Sequence, residues 1–256
     1  MQGGISRLES INMIRLLSFI VLMFLSAVLR AQTTYVVCVG LNVNRDRIEP
    51  LPCSRADAKG IANFFYNYNG SNVFMLLDSN ATRSHILKVL RQQFAKSTPA
   101  DEIIFAYSGH GFDGGLSTYN NEEVLYCSEV QRIMLNSKAR RKMMFIMACH
   151  SGSFTKKYGK IDDKRRRYDK QSTVLLFLSS KANESSWETN AMENSFFYHY
   201  LLEALEGKAD KNKDRKVTAR ELYNYVAPRV TRITARRQHP VMWGKFPDDM
   251  VIVNVQ

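Results

Sequence analysis

Two residues in this chain could do covalent chemistry together. Cys149 closes the apolar run of "MMFIMACHSGSF", and His110 sits between two glycines in "YSGHG", 39 residues earlier. A cysteine attacks a carbonyl carbon as its thiolate, and an unperturbed thiol is only a few per cent ionised at neutral pH. An imidazole within reach takes that proton or, when charged, stabilises the thiolate. Gly109 and Gly111 let a backbone approach a substrate closely. The N–H groups of Gly111 and Cys149 are the candidates for holding a developing oxyanion. His150 follows the thiol directly and is expected to point away, so His110 is the better base. Taken singly, Cys149 reads as a buried thiol and His110 as a turn residue. Their shared setting, each at the tip of a strand beside glycines, favours catalysis.

The elements before these tips must bring them together. "DEIIFAYSGHG" and "KMMFIMACHSG" are short β runs that end in them. "TYVVCVG", "NVFMLLD" and "STVLLFLSS" read as further strands, and "DDMVIVNV" as a last one. Cys38, inside the first of these, reads as a small core residue. Helical spacing fills the intervals. "SRADAKGIANFFYNY" places Ala58, Ile61, Ala62 and Phe65 on one face, with Ser54 as N-cap and Asp57 in the first turn. "NATRSHILKVLRQQFAK" is capped by Asn80 or Thr82. "SEVQRIMLNSKARR", "NSFFYHYLLEALEG" (ended by Gly207) and "TARELYNYVAPRVTR" follow. Such alternation predicts an α/β fold with a mostly parallel central sheet and helices on both faces. Function in such sheets gathers at the carboxyl ends of the strands.

The motifs also carry a family resemblance. "YSGHG" followed by "MFIMACHSG" resembles the His/Cys dyad of the caspase-like cysteine peptidases, the clan of caspases, metacaspases and their bacterial relatives. "VVCVGLN", "SRADAKGIANFF", "LLDSNATRSHI", "SSKANESSWE" and "ELYNYVAPRV…RQHP" are similar, in order, to further segments of that clan. The resemblance implies a caspase–haemoglobinase fold, a nucleophilic Cys149, a general acid/base His110 and hydrolysis of protein or peptide substrates through an acyl-enzyme. It divides residues 32–256 into a large-subunit-like part (32–153), a basic linker (154–172) and a small-subunit-like part (173–256). Relatives often mature by cleavage in that linker, whose Lys/Arg run offers many sites to the chain's own activity. The competing class is a catalytically silent caspase-like binding module.

The substrate side departs from the family pattern. Metacaspase-like members tend to carry Asp two residues before the cysteine, and caspases Gln; here Met147 stands there. Glu184 or Glu188 could supply negative charge to the pocket, or be surface or helix-cap carboxylates. Arg45, Arg47 and Arg55 lie near the loop with which caspases bind acidic residues, without convincing alignment. The lean is to Lys or Arg over Asp before the cut.

A second constellation is "ADKNKDRKVTARE". Asp210, Asn212, Asp214, Lys216 (through its carbonyl), Thr218 and Glu221 fall at calcium-loop positions 1, 3, 5, 7, 9 and 12. Position 6 calls for Gly, and Arg215 stands there. The competing account is a capping box between Thr218 and Glu221 at the start of the next helix. Apart from calcium there, no cofactor is required.

At its N-terminus, "MIRLLSFIVLMFLSAVLRAQ" has a positive start, a short apolar run and a small residue at Ala31, the layout of a secretory signal peptide. Residues 1–31 are assigned to it, with Met13 as a possible true start. The run is short for a membrane span, which needs about 20 residues. Export to the exterior or a periplasmic compartment is expected, with no stable membrane insertion after cleavage. The net charge is +12, from basic residues spread along the chain with one dense cluster, "KKYGKIDDKRRRYDKQ". No zinc-finger spacing or aromatic RNA-binding signature accompanies it, so no nucleic-acid partner is expected. The four cysteines suggest neither a disulfide framework nor a metal site. Oligomeric state carries no signal.

Overall fold

The computed structural model describes residues 32–43, 50–68, 71–120, 123–158, 172–189 and 193–255. The signal-peptide assignment, Arg45, Arg47 and most of the basic linker lie outside the described residues. The elements run β1 (Thr34–Gly40), α1 (Ser54–Asn67), β2 (Asn72–Leu77), α2 (Arg83–Phe94), β3 (Glu102–Ser108), β4 (Gly111–Phe112), β5 (Gly115–Leu116), β6 (Leu125–Tyr126) and α3 (Cys127–Asn136). They continue as β7 (Arg141–Met147), α4 (Ser153–Tyr158), β8 (Thr173–Leu178), β9 (Glu188–Thr189), β10 (Asn194–Ser195), α5 (Phe196–Glu203), β11 (Lys216–Thr218), α6 (Ala219–Ile233), β12 (Val241–Lys245) and β13 (Val251–Asn254).

Six strands form the main sheet in the order β12-β8-β7-β3-β1-β2. All neighbours are parallel except β12, which runs antiparallel to β8. Strand alternation divides the core in two. Val37 and Val39 of β1 join Ile86, Leu90 and Phe94 of α2 and Val130 and Met134 of α3 on one face. Val36 and Cys38 join Ile61 and Phe65 of α1, Phe197 and Leu201 of α5, and Leu222 and Val226 of α6 on the other. Near-continuous apolar strands follow directly from a sheet covered on both faces. Cys38 is a core residue, and burial pushes its thiol well above the range of a nucleophile. Among the described residues no helix is long and apolar enough to cross a membrane.

The cap of α1 and the start of the linker differ from the sequence expectation, and the last strand lies outside the main sheet. α1 starts at Ser54 itself, with Cys53 at the cap position and no side-chain cap bond, while Thr82 does cap α2. The segment "DDMVIVNV" forms the last strand as expected, β13, which pairs antiparallel with β11 outside the main sheet. An edge of the main sheet is β12, which Pro240 introduces and Gly244 bends at φ 140°. A Cβ on Gly244 would lie 2.0 Å from the Val174 carbonyl, so only glycine lets the two backbones meet there. Finally, the linker does not begin as an exposed loop at Phe154: this ring is buried in the core and anchors α4.

Candidate active site

β3 and β7 are neighbours in register, Ser108 opposite Met147, so their carboxyl ends emerge side by side. The Gly109 amide donates to the Met147 carbonyl at 3.1 Å and extends the pairing past the strand ends. Beyond it, Gly111 packs directly on the other tip: a Cβ there would lie 2.2 Å from the Cys149 carbonyl oxygen and 2.9 Å from the Ala148 Cβ. The two glycines flanking His110 therefore bring its segment against that of Cys149. His110 and Cys149 are both half-buried.

The turn after Cys149 is sharp. His150 takes a left-handed φ of 56°, an uncommon conformation for a residue other than glycine. Its amide donates to the Glu184 carbonyl at 2.9 Å and its Nδ1 meets the Ala182 carbonyl at 2.8 Å. His150 is thus turned toward the 181–184 loop. A lacing of serines holds the tip to the end of β8. The Ala148 amide donates to Ser179 Oγ at 3.1 Å, and the Ser180 amide donates to Ser151 Oγ at 3.1 Å.

One wall of the site is the loop after β8. The Ser186 amide donates to Cys149 Sγ at 3.4 Å. Gln238, fully buried beyond α6, fastens this loop. Its Nε2 donates to the Ser179 carbonyl at 2.8 Å and to Ser186 Oγ at 3.3 Å, and its Oε1 accepts the Trp187 amide at 2.9 Å. Beside it, the Arg237 guanidinium lies 4.1 Å over the Trp187 ring. Glu184 is held by the same segment, accepting the His239 amide and Nδ1 at 2.8 Å each. Burial alone would raise the Glu184 pKa, but the amides of His239 and Lys181 and the His239 ring outweigh it and hold the carboxyl below its ordinary value.

A narrow cavity of about 30 Å³ opens beside the thiol, lined among others by Ser108, Met147, Cys149, Ser186, Trp187 and Ser195. Met147 is among the lining residues. Glu184 is not among the lining residues, and the Glu188 side chain lies outside the described residues. A different carboxylate is bonded to two of the lining residues. Asp57, fully buried in the first turn of α1, accepts Ser108 Oγ at 2.9 Å and the Ser195 amide at 3.1 Å. Both donors line the cavity. In the sequence Asp57 is a first-turn acid of α1; its burial and its bonds to Ser108 and Ser195 set it apart from one. Arg55 is committed to Asp78 at 3.1 Å.

The acidic loop before α6 is closed by its own amides. Asp210 accepts the amides of Asp214 and Arg215 at 3.2 and 2.9 Å, and Asn212 Oδ1 accepts that of Asp214 at 3.0 Å. Asp214 accepts the Lys216 amide at 2.9 Å. Thr218 and Glu221 form the capping box of α6. Among the described residues no group of three or more His, Cys, Asp or Glu is arranged to hold a metal ion.

Residues 35–251 match the family model of the caspase domain. No curated protein matches the chain. Among solved structures, a structural-genomics crystal structure of a protein from Geobacter sulfurreducens is similar in fold, with a TM-score of 0.65 at 17% identity, over 88% of this chain and 100% of that one.

Proposed function

This chain belongs to the caspase domain family, and from that membership we propose that it is a cysteine endopeptidase with Cys149 as nucleophile and His110 as general base and acid. The observation that carries the reading is the meeting of the two strand tips, Gly111 packed on the Cys149 carbonyl. Cys149 Sγ, having lost its proton to His110, attacks the scissile carbonyl carbon. The resulting oxyanion is held by the N–H groups of Gly111 and Cys149. His110 then gives its proton to the departing amine as the C–N bond breaks, leaving a thioester on Cys149. Water attacks the thioester, His110 taking its proton, and the acid product and the free thiol are restored.

For the residue before the cut, Asp57 behind the cavity supports Lys or Arg. Its carboxylate is the charge that a cationic tip reaching past Ser108 and Ser195 would meet. The cavity beside the thiol is narrow, and Ser186 and Trp187 wall it on one side. The same narrowness is what favours the second reading, a silent binding module. The signal-like N-terminus supports export, and the basic run of residues 159–171 supports self-cleavage there.

The test is hydrolysis of a peptide library by the full chain, beside Cys149→Ala, His110→Ala and His150→Ala. Either dyad substitution is expected to remove activity by about a hundred- to ten-thousand-fold or more, while His150→Ala retains turnover. Labelling of Cys149 by a peptide electrophile with a Lys or Arg end, and fragments within the linker only when Cys149 is present, are the accompanying outcomes. A wild-type chain that neither cleaves nor labels would leave the binding-module reading.

A further inference from the structure

The small sheet next to His110 exposes aromatic surface that the reaction above does not use. Cross-strand pairing sorts its residues into rows. Gly111, Leu116 and Leu125 form one row, and all three are buried. Phe112, Gly115 and Tyr126 form the next, turned the other way. Here Phe112 is 39% and Tyr126 49% exposed. Gly115 between them has no side chain of its own, and Val124 fills the place: a Cβ on Gly115 would lie 2.2 Å from Val124 Cγ1. Phe112, Val124 and Tyr126 thus make an apolar strip that begins two residues after His110. The pairing of the Ser117 amide with the His110 carbonyl at 2.9 Å continues the same ladder up to the histidine and fixes the strip relative to it.

Its place assigns it to one end of a substrate. A general acid must touch the leaving amine. The residues that follow the scissile bond therefore depart on the His110 side of the thiol. The residues that precede it belong to the cavity walled by Met147, Ser186 and Trp187. Resting on the peptidase reading above, we propose that Phe112, Val124 and Tyr126 form the subsite for the first residues after the cut, and that it selects a large apolar side chain there. Exposed aromatic surface beside a reacting centre gains when an apolar side chain covers it.

Acyl transfer tests this without reference to the preceding residues. The full chain is acylated at Cys149 by a peptide ethyl ester, which has no residue after the cut. Amino-acid amides then compete with water for the thioester. Phenylalanine or leucine amide should capture the acyl group about tenfold better than glycine amide, the gain expected from covering part of a large apolar side chain. In Phe112→Ser and Tyr126→Ser this advantage should fall toward onefold, and Phe112→Leu should keep most of it. The burst of ester cleavage counts the sites that acylate, so the partition ratio stays readable in a variant that folds poorly. Equal capture of all amides by the wild type, or an advantage untouched in both serine variants, would overturn the subsite alone. So would an association of the wild-type chain in sedimentation that the serine variants abolish while capture stays as before, since the strip would then serve a second copy. Absence of any acyl-enzyme would overturn the peptidase reading together with the subsite.

Discussion

Gln238 donates its side-chain amide to the Ser179 carbonyl at 2.8 Å, across 59 residues of sequence. The same side chain accepts the Trp187 amide and donates to Ser186 Oγ. One buried residue therefore holds both ends of the loop, and Ser186 at one of those ends contacts Cys149. Truncation in Gln238→Ala would leave the buried Ser179 carbonyl without this donor and the Trp187 amide without this acceptor, at a cost of about 1–3 kcal/mol for each. The expected outcome is a lower melting temperature and a KM raised about tenfold, with kcat changed less, because the loop borders substrate binding. Gln238→Glu keeps the acceptor and should fall between. Steady-state kinetics of both variants decide it; a kcat loss at constant KM would place Gln238 in the chemical step.

Gly111 tests the contact between the tips. Its missing side chain is replaced by backbone, not by a movable side-chain end, so Gly111→Ala forces the two strand tips apart. A displacement of about 1 Å at a reacting centre costs on the order of a hundredfold in rate. Gly111→Ala should lose about that factor in kcat/KM while circular dichroism stays native. Full activity in the alanine variant would show that the tips need not touch.

Glu184 gives a pH signature. Its folded pKa is depressed, so the stability it contributes is complete above the ordinary glutamate value, near 4.3. It is lost as the pH falls through the lower folded value, because the unfolded chain then binds the proton first. Melting temperatures of the wild type and Glu184→Gln should differ most at neutral pH and converge below about pH 4. A gap that does not narrow in acid would mean that the carboxylate charge plays no part.

The two tips were legible in the sequence because local signals mark them: apolar runs closed by small residues, and glycines around His110. Strand–helix alternation likewise fixed the sheet and its covered faces. What was not legible depends on partners remote in sequence. Asp57 differs from an ordinary first-turn acid through its burial and through Ser108 and Ser195, 51 and 138 residues away. Gln238 in "RQHP" looks like one more polar residue until Ser179 and Trp187 are placed around it. β12 shows no alternation, since it lies at an edge and its glycine serves a backbone contact.

The loop before α6 separates two accounts that share the same residues. Its carboxylates accept amides of the loop itself, and Lys213 and Arg215 take left-handed φ values of 59° and 63°. Arg215 therefore makes the turn that calcium loops give to glycine, at a backbone cost of about 1–2 kcal/mol. Asp210 accepts two amides and Glu221 accepts those of Thr218 and Lys211, so the loop is tied together by its own hydrogen bonds. We expect Asp210→Ala to destabilise the chain by about 1–2 kcal/mol, or roughly 2–8 °C, by equal amounts in chelator and in millimolar calcium. Arg215→Gly should raise the melting temperature by relieving the left-handed strain. Calcium binding only the folded chain would act differently, raising the wild-type melting temperature and leaving Asp210→Ala unmoved. Thermal unfolding of the three proteins with and without calcium reads both: a calcium-dependent gap assigns the loop to the ion, and a constant one assigns it to the amide clasp.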